Sequence, residues 1–397
     1  MGGVKSMFSE HSLRQNRIVI CALETYSTIG GLQNFNRRVF KNVGQRGVER
    51  GEPPALAFLR GDHDAALPPI DGVELVAPKS QPQFMAAVFW ASLFKASVLL
   101  ICHINLLPLA FAVRLFRRRL PIVLFVHGCE VWNGYGPRKK RFYEVWLVGA
   151  LTRIASVSRF TAESMGREFQ VAPDKFRCLP NAVDALEEEE KVAPSPPSPT
   201  ILTVARLGSG EREKNVHEVI AAVALLKERL PGVKYEIIGG GSLRPELEAL
   251  AKKLGVADAV AFLGQVDDDE VRAAYGRAAV FAMPSNKEGF GIVYLEAWQF
   301  GKPVICSMHG AASEVVADGV DGFVVDPANV EALADRLHVL LTQPDLAKAM
   351  GESGRLKVEQ KYLNANFRVH LDKILDEVEL DSAAPKKATA PRSQLKL

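Results

Sequence analysis

Two glutamates bracket a glycine-containing turn in Glu288-Gly-Phe-Gly-Ile-Val-Tyr-Leu-Glu296. Gly289 and Gly291 leave the backbone bare there, and the run 292–300 carries apolar residues at helical spacing. A helix that starts just after glycines directs unpaired N–H groups and a partial positive charge at whatever sits above it. Such a place suits an anionic or hydroxyl-rich ligand. Paired carboxylates beside it suit hydroxyl recognition, as in a sugar and a ribose. The alternative is a strand-loop-helix junction in which one glutamate caps the helix.

Three further groups carry chemistry. Arg206 directly follows the apolar run 200–205, and Lys214 precedes a helical pattern. Two cations after a strand suit a diphosphate, with Arg as a planar fork and Lys as a point charge. The alternative is a solvated loop of alternating charges. His127 follows the apolar run 122–126 and precedes Gly128. Open parallel sheets bind ligands beyond the carboxyl ends of their strands, so His127 stands at a functional position or is a structural histidine. Asp267-Asp-Asp-Glu270 offers Asp-x-Asp spacing for a divalent cation. Asp267 with Glu270 also fits a helix cap with its capping-box partner, and the cap is the expectation, with no required metal. Neither G-x-S-x-G, a Walker A sequence nor C-x-x-C occurs.

The elements that position these residues alternate in type. An apolar run at 17–22 leads through Gly30-Gly31 into a helical pattern carrying Leu32, Phe35, Val39 and Val43. Strand, glycine loop and helix open a nucleotide-type α/β domain, although G-x-G-x-x-G is missing. Further strands are expected at 55–59, 73–76, 97–102, 122–126, 154–157 and 175–178. Residues 187–199 combine like charges with proline and serine, cannot build a core, and read as a linker. The alternation then restarts, with strands at 200–205, 233–238, 260–263, 279–283, 304–306 and 322–325. This predicts two α/β domains in tandem, 1–186 and 200–361, with the ligand in the cleft between them. A helix at 362–380 and a disordered tail at 381–397 complete the chain.

The chain has 397 residues, 48% hydrophobic and 24% charged, the mix of a soluble globular protein. A net charge of +3 is too small to argue for nucleic acid. Five scattered cysteines give no zinc or disulfide pattern and fit a reducing cytoplasm. The polar N-terminus carries no secretory signal, and its loose match to an N-myristoylation pattern is discounted. The apolar stretch 84–104 is interrupted by Lys95 and His103, so a spanning helix is not expected. The stretch 111–120, FAVRLFRRRL, suits either a helix on an anionic membrane surface or a core helix with a solvated basic face.

Taken in order, these residues resemble the retaining glycosyltransferases of family 4, which have the GT-B fold of two Rossmann-like domains with parallel sheets facing a central cleft. The most specific match is Glu288-Gly-Phe-Gly-Ile-Val-Tyr-Leu-Glu296 to that family's E-x7-E motif. Support comes from Gly30-Gly31, His127-Gly-Cys-Glu130, Ser158-Arg159, Leu179-Pro-Asn181, Arg206 with Lys214, Phe262-Leu-Gly264 and Gly301-Lys-Pro-Val304. The resemblance covers about 17–376.

It implies the following roles. Gly31, Arg206 and Lys214 bind the donor diphosphate. Glu288 holds the donor sugar with the N–H groups of Phe290 and Gly291. Glu296 accepts hydrogen bonds from the ribose hydroxyls, and His127 contacts the transferring sugar. Val266 and Asp268 sit where the base is read, so a GDP-sugar is expected beside a UDP-sugar. The implied activity is metal-independent transfer of a hexose, with retention and without a cofactor, to a saccharide or polyprenyl-linked acceptor in cell-surface polysaccharide or glycolipid synthesis. The expected site of action is the cytoplasm or, peripherally through the N-terminal half, the inner membrane face. The chain departs from the family in a longer Arg-to-Lys interval, in the extra cation Arg212, and in Asn215 where glycine usually follows the lysine. The alternatives are a nucleotide-sugar epimerase of the same architecture and a non-catalytic nucleotide-sugar-binding protein.

Overall fold

The computed structural model describes residues 16–28, 30–132, 140–187 and 199–383. The N-myristoylation pattern, most of the linker and residues 384–397 therefore lie outside the described residues.

The N-terminal strands are β1 (Arg17–Leu23), β2 (Ala55–Arg60), β3 (Val73–Val76), β4 (Ala96–Ile101), β5 (Ile122–Val126), β6 (Arg153–Ser156) and β7 (Phe176–Cys178). They form one sheet in the order β3-β2-β1-β4-β5-β6-β7, and every pairing in it is parallel. Parallel strands need crossovers, here α1 (Gly31–Arg50), α2 (Gln81–Phe94), α3 (Leu107–Phe116), α4 (Glu144–Leu147) and α5 (Arg159–Phe169). Covered on both faces, β1 and β5 are apolar along nearly their whole length.

The C-terminal strands are β8 (Thr200–Val204), β9 (Lys234–Ile238), β10 (Val260–Gly264), β11 (Val280–Met283), β12 (Val304–Ser307) and β13 (Gly322–Val325). Their order is β10-β9-β8-β11-β12-β13, again parallel throughout. The helices are α6 (Val216–Arg229), α7 (Arg244–Lys253), α8 (Asp268–Arg277), α9 (Ile292–Gln299), α10 (Ala312–Val315), α11 (Val330–Thr342) and α12 (Pro344–Lys361). In each sheet the order reverses next to the first strand, the topological switch point where ligands collect.

The last helix, α13 (Asn364–Ala383), packs against α1 and β4 of the first domain. Arg46 of α1 is buried and bonds Asp376 and Glu379, each at 2.8 Å. A buried guanidinium needs such partners, and removing them would leave an uncompensated charge. Val183 and Leu363 add a parallel bridge at the crossover. Residues 381–383 belong to this helix and not to a tail. Asp381 bonds the Arg153 guanidinium at 2.6 Å, which anchors the extra turn.

The arginines of 111–120 also differ from expectation. Arg114 donates to the carbonyls of Ala150 and Arg118, and Arg117 donates to those of Ser92 and Leu93 in the last turn of α2 and of Ala96 at the start of β4. Only Arg118 and Arg119 of the four face solvent. The basic run is half structural, because carbonyls at a helix C-terminus attract cations. Among the described residues no helix is long and apolar enough to cross a membrane.

Candidate active site

The two domains meet backbone to backbone. A Cβ built on Gly128 would lie 2.9 Å from the Gly289 Cα, and one built on Gly289 would overlap the His127 carbonyl oxygen. The turn after β5 thus rests on the loop between β11 and α9, and only glycine permits the approach. The contact brings the turn that carries His127 against the loop that carries Glu288.

On the C-terminal wall, Lys214 donates to Glu288 at 2.7 Å, and both side chains are largely buried. Burial works against the Lys214 ammonium, but the Glu288 charge and hydrogen bond outweigh it and its pKa is raised. Arg206 lies close enough to oppose that rise. Its own side chain is 74% exposed and pairs with Glu211 at 2.7 Å. Asn215 explains the missing glycine. Its backbone is left-handed, with φ 57°, where Asn is among the few tolerated residues. Its amide donates to the Pro284 carbonyl at 2.7 Å, tying the Lys214 turn to the strand end before Glu288. Arg212 points elsewhere and pairs with Glu246.

Gly291 occupies the N-cap position of α9, and no acid follows in the first turn. Among the described residues no hydrogen bond takes up the N–H of Phe290 or Gly291. The Phe290 ring is buried against Tyr362, which fixes the loop. Glu296, a turn into α9, accepts from the Tyr275 hydroxyl at 2.9 Å. Burial raises its pKa, the Tyr275 hydroxyl pulls it back, and the charge of Asp268 adds to the rise. Asp268 and Glu296 are therefore neighbours. Val266 is partly buried on the core beside them. Asp267 caps α8 by accepting from the Glu270 N–H at 2.8 Å. Glu270 does not return the bond as a capping box would and pairs with Arg277 instead. No group of three or more potential metal ligands occurs among the described residues.

On the N-terminal wall, burial pushes the His127 imidazole down to about 4, against a hydrogen bond to the Cys102 carbonyl that favours the proton. The ring is therefore neutral at pH values near 7. Its Nε2 is buried without a hydrogen-bond partner, and Phe35 of α1 stands edge-on at 4.6 Å. Gly31 opens α1 one turn earlier, with no side-chain cap and no acid in the first turn. Arg37, Arg38 and Lys41 of α1 face Ile292, Glu296 and Gln299 of α9 across a cavity of about 380 Å³.

Several supporting residues escape the motif analysis. Asp62 is buried and accepts from the N–H groups of Thr25, Tyr26 and Ser27, which shapes the loop before Gly30. Its signal is Gly61-Asp62 at the end of an apolar run. Glu130 accepts from the His127 N–H. Glu314 of the second domain accepts from the Arg159 N–H at 3.0 Å at the start of α5 in the first. That contact has no sequence signal.

With this geometry in hand, comparison with known proteins gives one answer. Residues 184–357 match the family model described as "Glycosyl transferases group 1", and residues 36–186 match "Glycosyltransferase Family 4". The chain is 34% identical over 275 residues to a GDP-mannose-dependent alpha-(1-6)-phosphatidylinositol monomannoside mannosyltransferase of Mycolicibacterium smegmatis, covering 62% of this chain and 68% of that protein. It is 33% identical over 218 residues to a D-inositol 3-phosphate glycosyltransferase of Corynebacterium urealyticum, covering 53% of this chain and 51% of that one. Among solved structures, sucrose-phosphate synthase from Thermosynechococcus elongatus superposes with a TM-score of 0.75 at 17% identity, covering 93% of this chain and 100% of that one. Anabaena Alr3699/HepE in complex with UDP-glucose superposes with a TM-score of 0.71 at 18% identity, covering 91% and 99%. The fold is GT-B, and the chain belongs to glycosyltransferase family 4.

Proposed function

We propose that the protein transfers a hexose, with retention, from a UDP- or GDP-sugar to a saccharide or lipid-linked acceptor in cell-surface polysaccharide or glycolipid synthesis. The observation that carries this is the glycine contact between the domains, which brings the turn of neutral His127 against the loop that carries Glu288 of the Lys214–Glu288 pair. The donor diphosphate lies between the N-terminus of α1 at Gly31 and the Arg206 and Lys214 side chains. Glu288, with the free N–H groups of Phe290 and Gly291, holds the sugar hydroxyls. Glu296 takes the ribose hydroxyls, and Val266 and Asp268 border the base. The acidic Asp268 favours a base that presents N–H donors, as guanine does, and a similar protein is named as GDP-mannose-dependent.

In the transfer step the bond from the anomeric carbon to the diphosphate oxygen breaks and the acceptor oxygen bonds to the same face of that carbon. The acceptor proton passes to the departing diphosphate oxygen. Arg206, Lys214 and the helix N-terminus stabilise the charge that develops on that oxygen. No cofactor or metal is needed for this sequence, and activity surviving a chelator tests that. An epimerase would convert the nucleotide sugar without forming a glycoside. The family match across both domains weighs against it.

Peripheral membrane contact falls on the first domain. Trp90 stacks on Phe94 at 5.4 Å, Phe89 meets Phe116 at 5.7 Å, and Phe116 is 69% exposed. No Asp or Glu occurs between Glu74 and Glu130, while Lys95, Arg118 and Arg119 lie exposed around these rings. Aromatic and basic groups together suit an anionic lipid surface.

The deciding experiment is a thermal-shift screen with UDP, GDP, ADP and their sugars, followed by product analysis. A ligand of the folded state raises stability with the logarithm of its saturation. One nucleotide series should stabilise the protein, and its sugar should appear in a glycoside of unchanged anomeric configuration. An inverted product would overturn the retaining step. Sedimentation with anionic vesicles tests the membrane contact separately.

A further inference from the structure

The cap of α5 is divided between the two domains. A helix leaves its first N–H groups without intrahelical acceptors. Ser158, the N-cap residue, takes the Thr161 N–H on its hydroxyl at 3.2 Å. The N–H groups of Arg159 and Phe160 go instead to Glu314, which stands in α10 of the second domain. One oxygen of that carboxylate accepts from Arg159 at 3.0 Å and the other accepts from Phe160. An anion across a helix N-terminus also meets the positive end of the helix dipole. Glu314 is exposed, so water and salt screen the contact. It suits a joint that closes and reopens better than one that only adds stability.

From each end of this contact a short series of contacts runs to the candidate active site. In the second domain the Glu314 N–H donates to the Ala311 carbonyl at 3.0 Å, and the Ala311 N–H donates to the Glu288 carbonyl at 2.9 Å. Gly310 lies on the Glu288 backbone so closely that an added Cβ would sit 3.0 Å from the Glu288 carbonyl oxygen. In the first domain the Phe160 ring stands edge-on to Trp132 at 5.2 Å. The Trp132 ring flanks Gly128, where an added Cβ would meet it at 3.3 Å. Gly128 touches Gly289, the residue after Glu288. The two interdomain contacts, Gly128 on Gly289 and Glu314 on α5, thus close one ring through the Glu288 loop and the His127 turn. The glycine contact alone would leave the domains free to pivot about it, and a second, separated contact restricts that pivot.

We propose that Glu314 is a positioning residue for transfer. Its carboxylate docks the second domain on the N-terminus of α5 and so holds the Glu288 loop in register against the His127 turn. It acts through Ala311 and Gly310 on the placement of Glu288. The role rests on the transferase reading of Glu288, whereas the docking itself is measured without turnover. Misplacement of one wall against the other weighs on the chemical step more than on nucleotide binding, so the effect falls on kcat.

Amide hydrogen exchange of the full chain, wild type beside Glu314→Ala, reads the docking with and without saturating UDP or GDP. Peptides over 159–162 and over 286–291 should both exchange faster in the variant. Nucleotide affinity by calorimetry should stay within about twofold, which also shows that the variant is folded. Release of UDP or GDP from the sugar nucleotide that stabilises the protein should fall about tenfold in kcat with little change in KM. Glu314→Gln keeps an oxygen that accepts one N–H, so its loss should be only about threefold. Unchanged exchange over 159–162 in Glu314→Ala overturns the docking. Faster exchange there with kcat and residues 286–291 unchanged overturns the positioning role and leaves the transferase reading intact. If neither protein turns over any sugar nucleotide, the transferase reading falls and the positioning role with it, while exchange still decides the docking.

Discussion

The two walls of the cleft are built on the same sheet topology and treat charge in opposite ways. The C-terminal wall partners its own groups: Lys214 with Glu288, Arg206 with Glu211, and Glu296 with the Tyr275 hydroxyl. The N-terminal wall presents a neutral imidazole at His127, bare backbone at Gly128 and, beyond β1, the cations Arg60 and Lys79 with no acidic partner among the described residues. A donor whose diphosphate and hydroxyls are invariant can be met by fixed, prepaired groups that exchange partners on binding. On the proposed function, the asymmetry sets the prepaired groups assigned to the donor apart from the wall left to meet an acceptor.

The strongest way to break this contrast is to remove the sugar carboxylate. Glu288→Ala should lower turnover about 100- to 1000-fold, as loss of a transition-state partner does, with only modest loss of nucleotide affinity. Steady-state kinetics beside calorimetry reads both, and unchanged turnover would remove Glu288 from the site. Gly289→Ala leaves every polar group in place but sets a methyl against the His127 carbonyl. It should lower turnover about 100-fold through misplacement of the two walls, and small-angle scattering should show a wider molecule.

The ribose assignment predicts a smaller effect, and on binding. Glu296→Gln keeps the volume and loses the charge, so nucleotide affinity should fall about 10- to 100-fold, the worth of a charge-assisted hydrogen bond. Equal affinity by calorimetry would refute the role and make Glu296 a partner of Tyr275 only.

The two walls were also unequally legible. The strands were readable because parallel strands covered on both faces are apolar runs, and β3, β5 and β13 coincide with their expected limits. Glu288 and Glu296 stood out because a glycine turn and helical spacing isolate them. The Gly128–Gly289 contact was not readable, since two glycines far apart in sequence carry no mark of touching. Glu314 and the Arg46 cluster work through long-range contacts and were invisible for the same reason, while Asp62 left only the faint mark of a Gly-Asp pair at a strand end. Asn215 looked like a departure from pattern until its left-handed backbone showed it doing the work of glycine. The arginines of 111–120 looked solvated because composition cannot reveal that two of them end on backbone carbonyls.

The smallest expected effect concerns the neutral side of the comparison. His127 is held near 4 in the folded chain against an ordinary value of 6.5. Below that ordinary value the unfolded chain takes up a proton that the folded chain refuses. Stability from this group is thus fully present above the unfolded pKa and is lost as pH falls toward the folded one. The loss should reach about 1–2 kcal/mol by about pH 5. His127→Asn removes the titrating group while keeping a donor for the Cys102 carbonyl, so the denaturation midpoint of that variant should decline less over the same range. If both proteins decline in parallel, His127 titrates normally and the N-terminal wall carries a charge after all. The contrast between a prepaired C-terminal wall and an uncharged position at His127 would then fail at its centre.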